Sequence, residues 1–150
     1  MPPELIVLLT AATPVLELRG AIPVGLAMGL PPFEVWVLAI IGNILPVPFI
    51  LLGMNWLFKM LVHIPRVEAW VNRIAEKGSG KLEANIQRWG WLGLIIFVGI
   101  PLPGTGAWTG SLAAVVLRLP FWTSLLSVAA GVLLASLLVS GLGLGIMSLL

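Results

Sequence analysis

The chain has 150 residues, of which 59% are apolar and only 9% charged, and its formal net charge is +2. Because a soluble domain is about 25% charged, this composition excludes an ordinary soluble fold and favours an integral membrane protein. Cysteine and aspartate are absent, and His63 is the only histidine. Disulfides, thiol chemistry and a metal centre are therefore not expected, and no cofactor is predicted.

Four apolar blocks follow one another along the chain, at residues 5–30, 33–62, 91–117 and 121–150. A spanning helix needs about 20 apolar residues, and the second and fourth blocks meet that length without interruption. The first and third blocks are interrupted by the Gly/Pro-rich segments 17–23 and 101–110. Proline removes a helical donor and glycine frees the backbone, so these blocks predict two broken elements, each followed by one spanning helix.

This order predicts an all-α inverted repeat within a single membrane domain, residues 1–150. Repeat 1 covers residues 1–62, an amphipathic linker covers 63–90, and repeat 2 covers 91–150. In the two broken segments Arg19-Gly20-Ala21 corresponds to Thr105-Gly106-Ala107. Pro32-Phe33 opens the first span, as Pro120-Phe121 opens the second.

The basic residues around the linker predict how the protein is oriented in the membrane. Six of the eight Lys and Arg residues lie between Lys59 and Arg88, and basic residues accumulate on the cytoplasmic side. Helical spacing of apolar residues in the linker predicts two short amphipathic helices at the membrane surface. If the broken elements are re-entrant hairpins, both termini lie outside and Arg118 is cytoplasmic. If they cross fully as kinked helices, both termini lie inside; the re-entrant arrangement is favoured because it keeps the basic residues together.

Glu17 and Arg19 are the strongly ionisable residues deep inside an apolar block. A charge within the membrane is costly and marks a candidate functional site. Arg19 suits an anionic group, which it can hold by charge-assisted hydrogen bonds. Glu17 suits proton coupling, because burial and a neighbouring arginine act in opposite directions on its proton affinity. The alternative is that the two side chains pair with each other and only hold the loop together.

The broken segments contribute further candidates for substrate binding, since irregular backbone at membrane depth lines cavities. They offer bare amides, hydroxyl groups and an indole ring, and they are Gly20, Pro23, Pro101, Pro103, Gly104, Thr105, Gly106, Trp108 and Thr109. The alternative for the glycines is that they only permit a tight turn. In the first span, Asn43, Pro46 and Pro48 predict a kink with a satisfying hydrogen bond.

The two segments, Glu17-Leu18-Arg19-Gly20-Ala21-Ile22-Pro23 and Pro101-Leu102-Pro103-Gly104-Thr105-Gly106-Ala107-Trp108-Thr109-Gly110, resemble the small multidrug export protein family of prokaryotic membranes. The resemblance covers nearly the whole chain and implies efflux across the prokaryotic cytoplasmic membrane. More distantly, the layout resembles the DedA superfamily, which has two opposed re-entrant hairpins and includes transporters of polyprenyl-phosphate lipid carriers. That superfamily places acidic residues in one hairpin and arginines in the other, whereas here both charges lie in the first segment.

The sequence therefore predicts a multi-pass secondary transporter, not an enzyme, that moves an amphiphilic, anionic substrate with proton coupling. Its expected partners are membrane lipids and the small amphiphilic substrate; a homodimer is compatible with its size, and nucleic acid is not expected. An exporter of lipophilic cationic drugs is one alternative, and a membrane scaffold that transports nothing is another. A membrane enzyme is least favoured, since no nucleophile–base pair is visible.

Overall fold

Helices form the regular structure of the computed structural model, which describes residues 1–61, 63–69, 73, 80–102 and 104–149. No strand occurs among these described residues, so the all-helical prediction is confirmed. The longer helices are α1 (Pro3–Ala12), α2 (Glu17–Ala27), α3 (Pro32–Ile44), α4 (Val47–Leu61), α5 (Gly80–Gly99), α6 (Ala107–Val116) and α7 (Phe121–Leu149).

Within the described residues, two stretches are long and apolar enough to cross a membrane, Pro32–Leu61 and Phe121–Leu142. They coincide with the second and fourth apolar blocks. Large apolar side chains point outward from both stretches, among them Phe49, which is 73% exposed, and Leu126, which is 65% exposed. Apolar side chains this exposed need an apolar solvent, which points to a membrane protein.

The first broken element is interrupted earlier than predicted. The helix α1 ends at Ala12, the interruption lies at residues 13–16, and the predicted loop at 17–23 is helical. The reason is Pro14, because the residue before a proline avoids the helical conformation; Thr13 is extended, with φ −77° and ψ 145°. Gly20 and Pro23 therefore lie inside α2, where the sequence had predicted a loop.

The second broken element agrees better with its prediction. Residues 100–102 and 104–106 lie outside the helices, and α6 begins at Ala107, so the predicted segment 101–110 is half loop and half helix. The helix α5 passes through the predicted boundary at residues 90 and 91 without a break. Residue 62, linker residues 70–72 and 74–79, and Pro103 lie outside the described residues, and so does most of the first predicted amphipathic helix.

The first span is interrupted at Leu45-Pro46, between α3 and α4. Proline has no amide hydrogen, so Pro46 cannot donate to the carbonyl of Gly42 in a regular helix. The predicted kink is present, but the predicted satisfying hydrogen bond is wrong. Asn43 is 1% exposed, and its Oδ1 has no hydrogen-bond partner among the described residues.

Two pairs of helices pack closely against each other through a glycine. Gly42 of α3 lies against the carbonyl of Leu8 in α1, and Gly131 of α7 lies against the carbonyl of Ile95 in α5. A Cβ atom at either glycine would meet backbone atoms, so these helices can approach closely only without a side chain. The helix α3 packs on α1 and α2, whereas α4 packs on α6.

The helices α2 and α6 end in the same kind of turn. After α2, Gly29 adopts φ +81° and the Leu30 amide donates to the Gly25 carbonyl at 3.2 Å. After α6, Arg118 adopts φ +55° and the Leu119 amide donates to the Ala114 carbonyl at 3.0 Å. This left-handed turn closes the end of a helix. In both places a leucine, a proline and a long apolar helix follow.

Candidate functional site

The start of α2 lies against the connection between α5 and α6, so the two interrupted elements meet. The contacts join residues more than 80 positions apart in sequence, and they all involve polar groups near helix ends. The predicted candidates that come together here are Glu17, Arg19, Gly104, Thr105, Gly106, Trp108 and Thr109.

The carboxylate of Glu17 lies at the N-terminus of α6. Its Oε1 accepts a hydrogen bond from the backbone amide of Trp108 at 3.2 Å, and the carboxylate also interacts with the Ala107 amide. The first amides of a helix lack intrahelical acceptors and carry partial positive charge. Glu17 therefore caps α6 from another helix, and it does so with only 6% of its surface exposed.

Gly106 makes this approach possible. A Cβ atom at Gly106 would overlap the carboxylate of Glu17, so any larger residue would push the carboxylate away from the amides. Glu17 itself has a left-handed backbone with φ +49°, which is uncommon outside glycine and costs about 1–3 kcal/mol. Such strain persists only where surrounding contacts enforce it, and the bond to α6 is one such contact.

The guanidinium of Arg19 lies at the C-terminal end of a helix, whereas the Glu17 carboxylate lies at an N-terminal end. It donates to the carbonyls of Leu102 and, at 3.4 Å, of Ile100, which directly follow α5. The C-terminal end of a helix carries partial negative charge, so a cation is favourable there. Arg19 also donates to the hydroxyl of Thr105 at 3.0 Å, and that hydroxyl lies 2.7 Å from the Ile100 carbonyl.

Trp108 connects the two elements a second time. Its indole Nε1 donates to the carbonyl of Ala12 at 3.1 Å, which is the last residue of α1. The sequence predicted that this ring lines a cavity, whereas the structure uses its donor to satisfy a helix end. Trp108 thus binds the end of α1 through its side chain and Glu17 through its backbone.

The side chains of Glu17 and Arg19 are joined to the second element, not to each other. Among the described residues their hydrogen bonds go to Trp108, Thr105 and the carbonyls at 100 and 102. A local pair that only holds the first loop together is therefore not the arrangement observed. The charges of Glu17 and Arg19 are thus satisfied by backbone groups of the second half, together with the hydroxyl of Thr105.

A small cavity of about 50 Å³ lies between these groups, and its walls are formed by Pro14, Val15, Leu16, Glu17, Arg19, Gly104, Thr105 and Thr109. A water molecule needs about 10–15 Å³ of such space, so the cavity has room for a few waters but for no amphiphile. Three wall residues, Pro14, Val15 and Leu16, were not predicted from the sequence; the available signal was Pro14, which ends α1. Gly20, Pro23 and Pro101 are not in the cavity wall, and Pro103 lies outside the described residues.

Comparison with known proteins identifies one family. A family model described as "Putative small multi-drug export protein" matches residues 17–138. The match begins at Glu17 and includes both Gly/Pro-rich segments (17–23 and 101–110), the linker and most of the last span. Comparison with curated proteins and with solved structures gave no match.

Proposed function

Because this chain belongs to the small multi-drug export protein family, we propose that it is a secondary transporter of the prokaryotic cytoplasmic membrane. The substrate proposed is amphiphilic and anionic, of the lipid-phosphate type, and it moves together with protons. The observation that carries the proposal is that Glu17 and Arg19 hold two helix ends of the other half. A proton can replace the contact that Glu17 makes, and an anion can replace the contacts that Arg19 makes.

Proton uptake by Glu17 would weaken its attraction to the start of α6. A neutral carboxyl group gains little from the positive end of a helix, and the amides at 107 and 108 would then be open to another acceptor. Helix N-termini bind phosphate and carboxylate groups readily. The arginine beside them can hold the same anion in a forked geometry. Binding of the proton therefore favours binding of the anion, which is the coupling that a proton–anion symporter requires.

Arg19 is the other ionisable side chain in the cavity wall, where the remaining described residues are uncharged. An arriving anion would draw Arg19 away from the carbonyls of Ile100 and Leu102. The cavity of about 50 Å³ has no room for this exchange, so the two elements must separate to admit substrate. A carrier that closes around its site between transport steps has this property.

Helix lengths support a re-entrant arrangement. The helices α1, α2 and α6 have 10, 11 and 10 residues, and each residue adds about 1.5 Å. Such helices reach about half of a hydrocarbon core that is about 30 Å thick. Two elements that turn at mid-depth from opposite faces form an inverted repeat, with both termini outside and the linker cytoplasmic. The matching turns at Gly29 and Arg118 support the same relationship.

Flux measurements in proteoliposomes test the proposal. Wild-type protein should move decyl phosphate in the presence of a pH gradient, and it should move tetraphenylphosphonium, a lipophilic cation, much less. Glu17→Gln should abolish the response to the pH gradient, and Arg19→Ala should abolish anion flux. Glu34→Gln and Arg66→Ala are matched controls, because Glu34 lies in the first turn of α3, away from the cavity wall, and Arg66 is exposed in the linker. Preference for the cation would instead support the alternative of a cationic-drug exporter, with Glu17 as the binding group.

A scaffold that transports nothing is the second candidate, because the same contacts also fasten the two halves together. This alternative predicts no flux of either probe in wild-type protein. It also predicts that substitutions at Glu17 and Arg19 lower thermal stability equally with and without substrate. Stabilisation of the wild type by decyl phosphate, lost in Arg19→Ala, would exclude it.

A further inference from the structure

An apolar groove of about 240 Å³ lies apart from the polar cavity, between α2, α3 and α7. Its walls include Ile22 and Leu26 of α2, Phe33 and Trp36 of α3, and Leu137 and Ser140 of α7. Ser140 contributes the polar side chain in this wall. The groove therefore suits a hydrocarbon group and offers nothing to a charged one.

The groove and the polar cavity share one face of α2. Ile22 and Leu26 follow Arg19 at spacings of three and seven residues, which places the three side chains on one face of a helix. An amphiphile with its anionic end at Arg19 would thus extend its hydrocarbon part along α2 into the groove. The polar cavity alone is too small for such a molecule.

The second half has a matching surface, and that surface is closed. The turn Gly29-Leu30-Pro31 recurs 89 positions later as Arg118-Leu119-Pro120, so Pro120 corresponds to Pro31 and not to Pro32, as the sequence alone had suggested. The same spacing relates Gly42 to Gly131 and the buried residues Val35 and Ala39 to Ser124 and Val128. In this register Leu26 corresponds to Val115, and Ser140 corresponds to Leu51.

Burial differs sharply between these matching positions. Leu26 and Ser140 are partly exposed in the groove, whereas Val115 is 4% exposed and Leu51 is 1% exposed. The helix α6 packs extensively on α4, whereas α2 makes a smaller contact with α7. One side of the protein is therefore open between α2 and α7 while the equivalent side is closed between α6 and α4.

We propose that the groove holds the hydrocarbon part of the substrate, and that the closed surface between α6 and α4 opens as its counterpart in a second state. This proposal rests on the transport function proposed above. In an inverted repeat, the two halves can exchange conformations, so that one groove closes as the other opens. The substrate would then reach the polar site through each groove in turn.

Cross-linking tests the exchange, and the natural absence of cysteine makes the background clean. One variant carries Leu26→Cys and Ser140→Cys across the groove; the other carries Val115→Cys and Leu51→Cys across the closed surface. Treatment with a short bifunctional thiol reagent should cross-link both pairs, and each cross-link should stop decyl phosphate flux. Bound decyl phosphate should slow cross-linking of the first pair only. If cross-linked Val115→Cys/Leu51→Cys protein retains full flux, the closed surface never opens and the proposal is wrong.

A groove-filling substitution tests the occupant. Ser140→Phe should raise the Kd for decyl phosphate about tenfold and leave inorganic phosphate binding unchanged. Leu126→Phe is the matched control, because Leu126 faces outward on the same helix and is 65% exposed. Equal affinity in Ser140→Phe and wild type would overturn the groove assignment. The two proposals can be contradicted separately. Absence of flux in wild-type protein contradicts the transport function. Wild-type flux together with an unchanged decyl phosphate affinity in Ser140→Phe contradicts only the assignment of the groove.

Discussion

The carboxylate of Glu17 and the backbone amide of Trp108 lie 3.2 Å apart, although 91 positions separate them in sequence. This bond makes a buried acid of the first interrupted element the cap of a helix in the second. A helix cap is normally supplied by the residue that precedes the helix. Here Gly106 precedes α6 and has no side chain to offer, so the capping group comes from α2.

Removal of the Glu17 side chain should therefore destabilise the contact between the two elements. In Glu17→Ala the α6 amides lose their acceptor, and we expect the free energy of unfolding to fall by about 1–3 kcal/mol. Glu17→Gln keeps an acceptor oxygen without the charge, so its loss should be smaller. Thermal unfolding in detergent measures both, with Glu34→Gln as the control. An unchanged melting temperature in Glu17→Ala would show that the cap contributes nothing.

Gly106→Ala should disturb the same contact from the other side. The new methyl group would overlap the Glu17 carboxylate, so stability should fall by about 1–3 kcal/mol, as in other overpacked sites. Gly93→Ala is the matched control, because a Cβ atom there meets nothing within 4 Å. It should be neutral or slightly stabilising, since alanine favours a helix over glycine.

A double-mutant cycle gives the decisive comparison at Gly106. If the clash is with Glu17, the cost of Gly106→Ala should largely disappear in a Glu17→Ala background, giving a coupling energy above about 0.5 kcal/mol. Additive effects of the two substitutions would contradict the observed packing.

Arg19→Lys should impair transport although it conserves charge. The guanidinium reaches the carbonyls of Ile100 and Leu102 and the hydroxyl of Thr105 together, which a single ammonium group cannot reproduce in the same geometry. We expect a higher KM for decyl phosphate, because the same fork is proposed to bind its phosphate. Thr105→Val serves as a partner substitution: it removes one acceptor of Arg19 without removing charge. A KM equal to that of wild type in Arg19→Lys would argue that only the charge matters.

The membrane spans could be predicted from the sequence because each one is a long, continuous run of mostly apolar residues. Runs of apolar residues mark Pro32–Leu61, whose charges Glu34 and Lys59 lie near its ends, and Phe121–Leu142, which has none. The position of the first interruption was predicted wrongly because two prolines competed for it. Pro14 ends α1 by keeping Thr13 extended, whereas Pro23 is accommodated inside α2. The presence of a proline does not by itself indicate whether a helix ends there or continues through it.

The sequence could predict which residues belong to the candidate site, but not which contacts they make. Charge and glycine content identified Glu17, Arg19 and Gly106, since charges inside an apolar block are rare. Their partners depend on how two distant elements pack, and a single sequence has no local signal for that. Trp108 is an example: the sequence predicted that its ring lines a cavity, but it has no signal that the indole N–H would bind the carbonyl of Ala12.

Asn43 lies near the end of α3, beside the interruption between α3 and α4. Its Oδ1 is buried without a hydrogen-bond partner among the described residues, and such a group costs about 1–3 kcal/mol. The matching position in the second half is the buried apolar residue Val132. Asn43→Val should therefore raise the melting temperature, which is the opposite of the usual effect of a buried substitution.

The same substitution should slow transport if the interruption bends during the transport cycle. The helix α3 packs mainly on α1 and α2 of the first half and also on α7, whereas α4 packs on α6 and α7 of the second, so Leu45-Pro46 is one place where the chain can bend when the halves move. Flux and melting temperature measured on Asn43→Val separate the two roles, with Asn55→Val in the middle of α4 as the control. Higher stability with lower flux would identify Asn43 as part of a hinge. Lower stability with unchanged flux would mean that its amide is a packing group, and the hinge would have to be sought elsewhere.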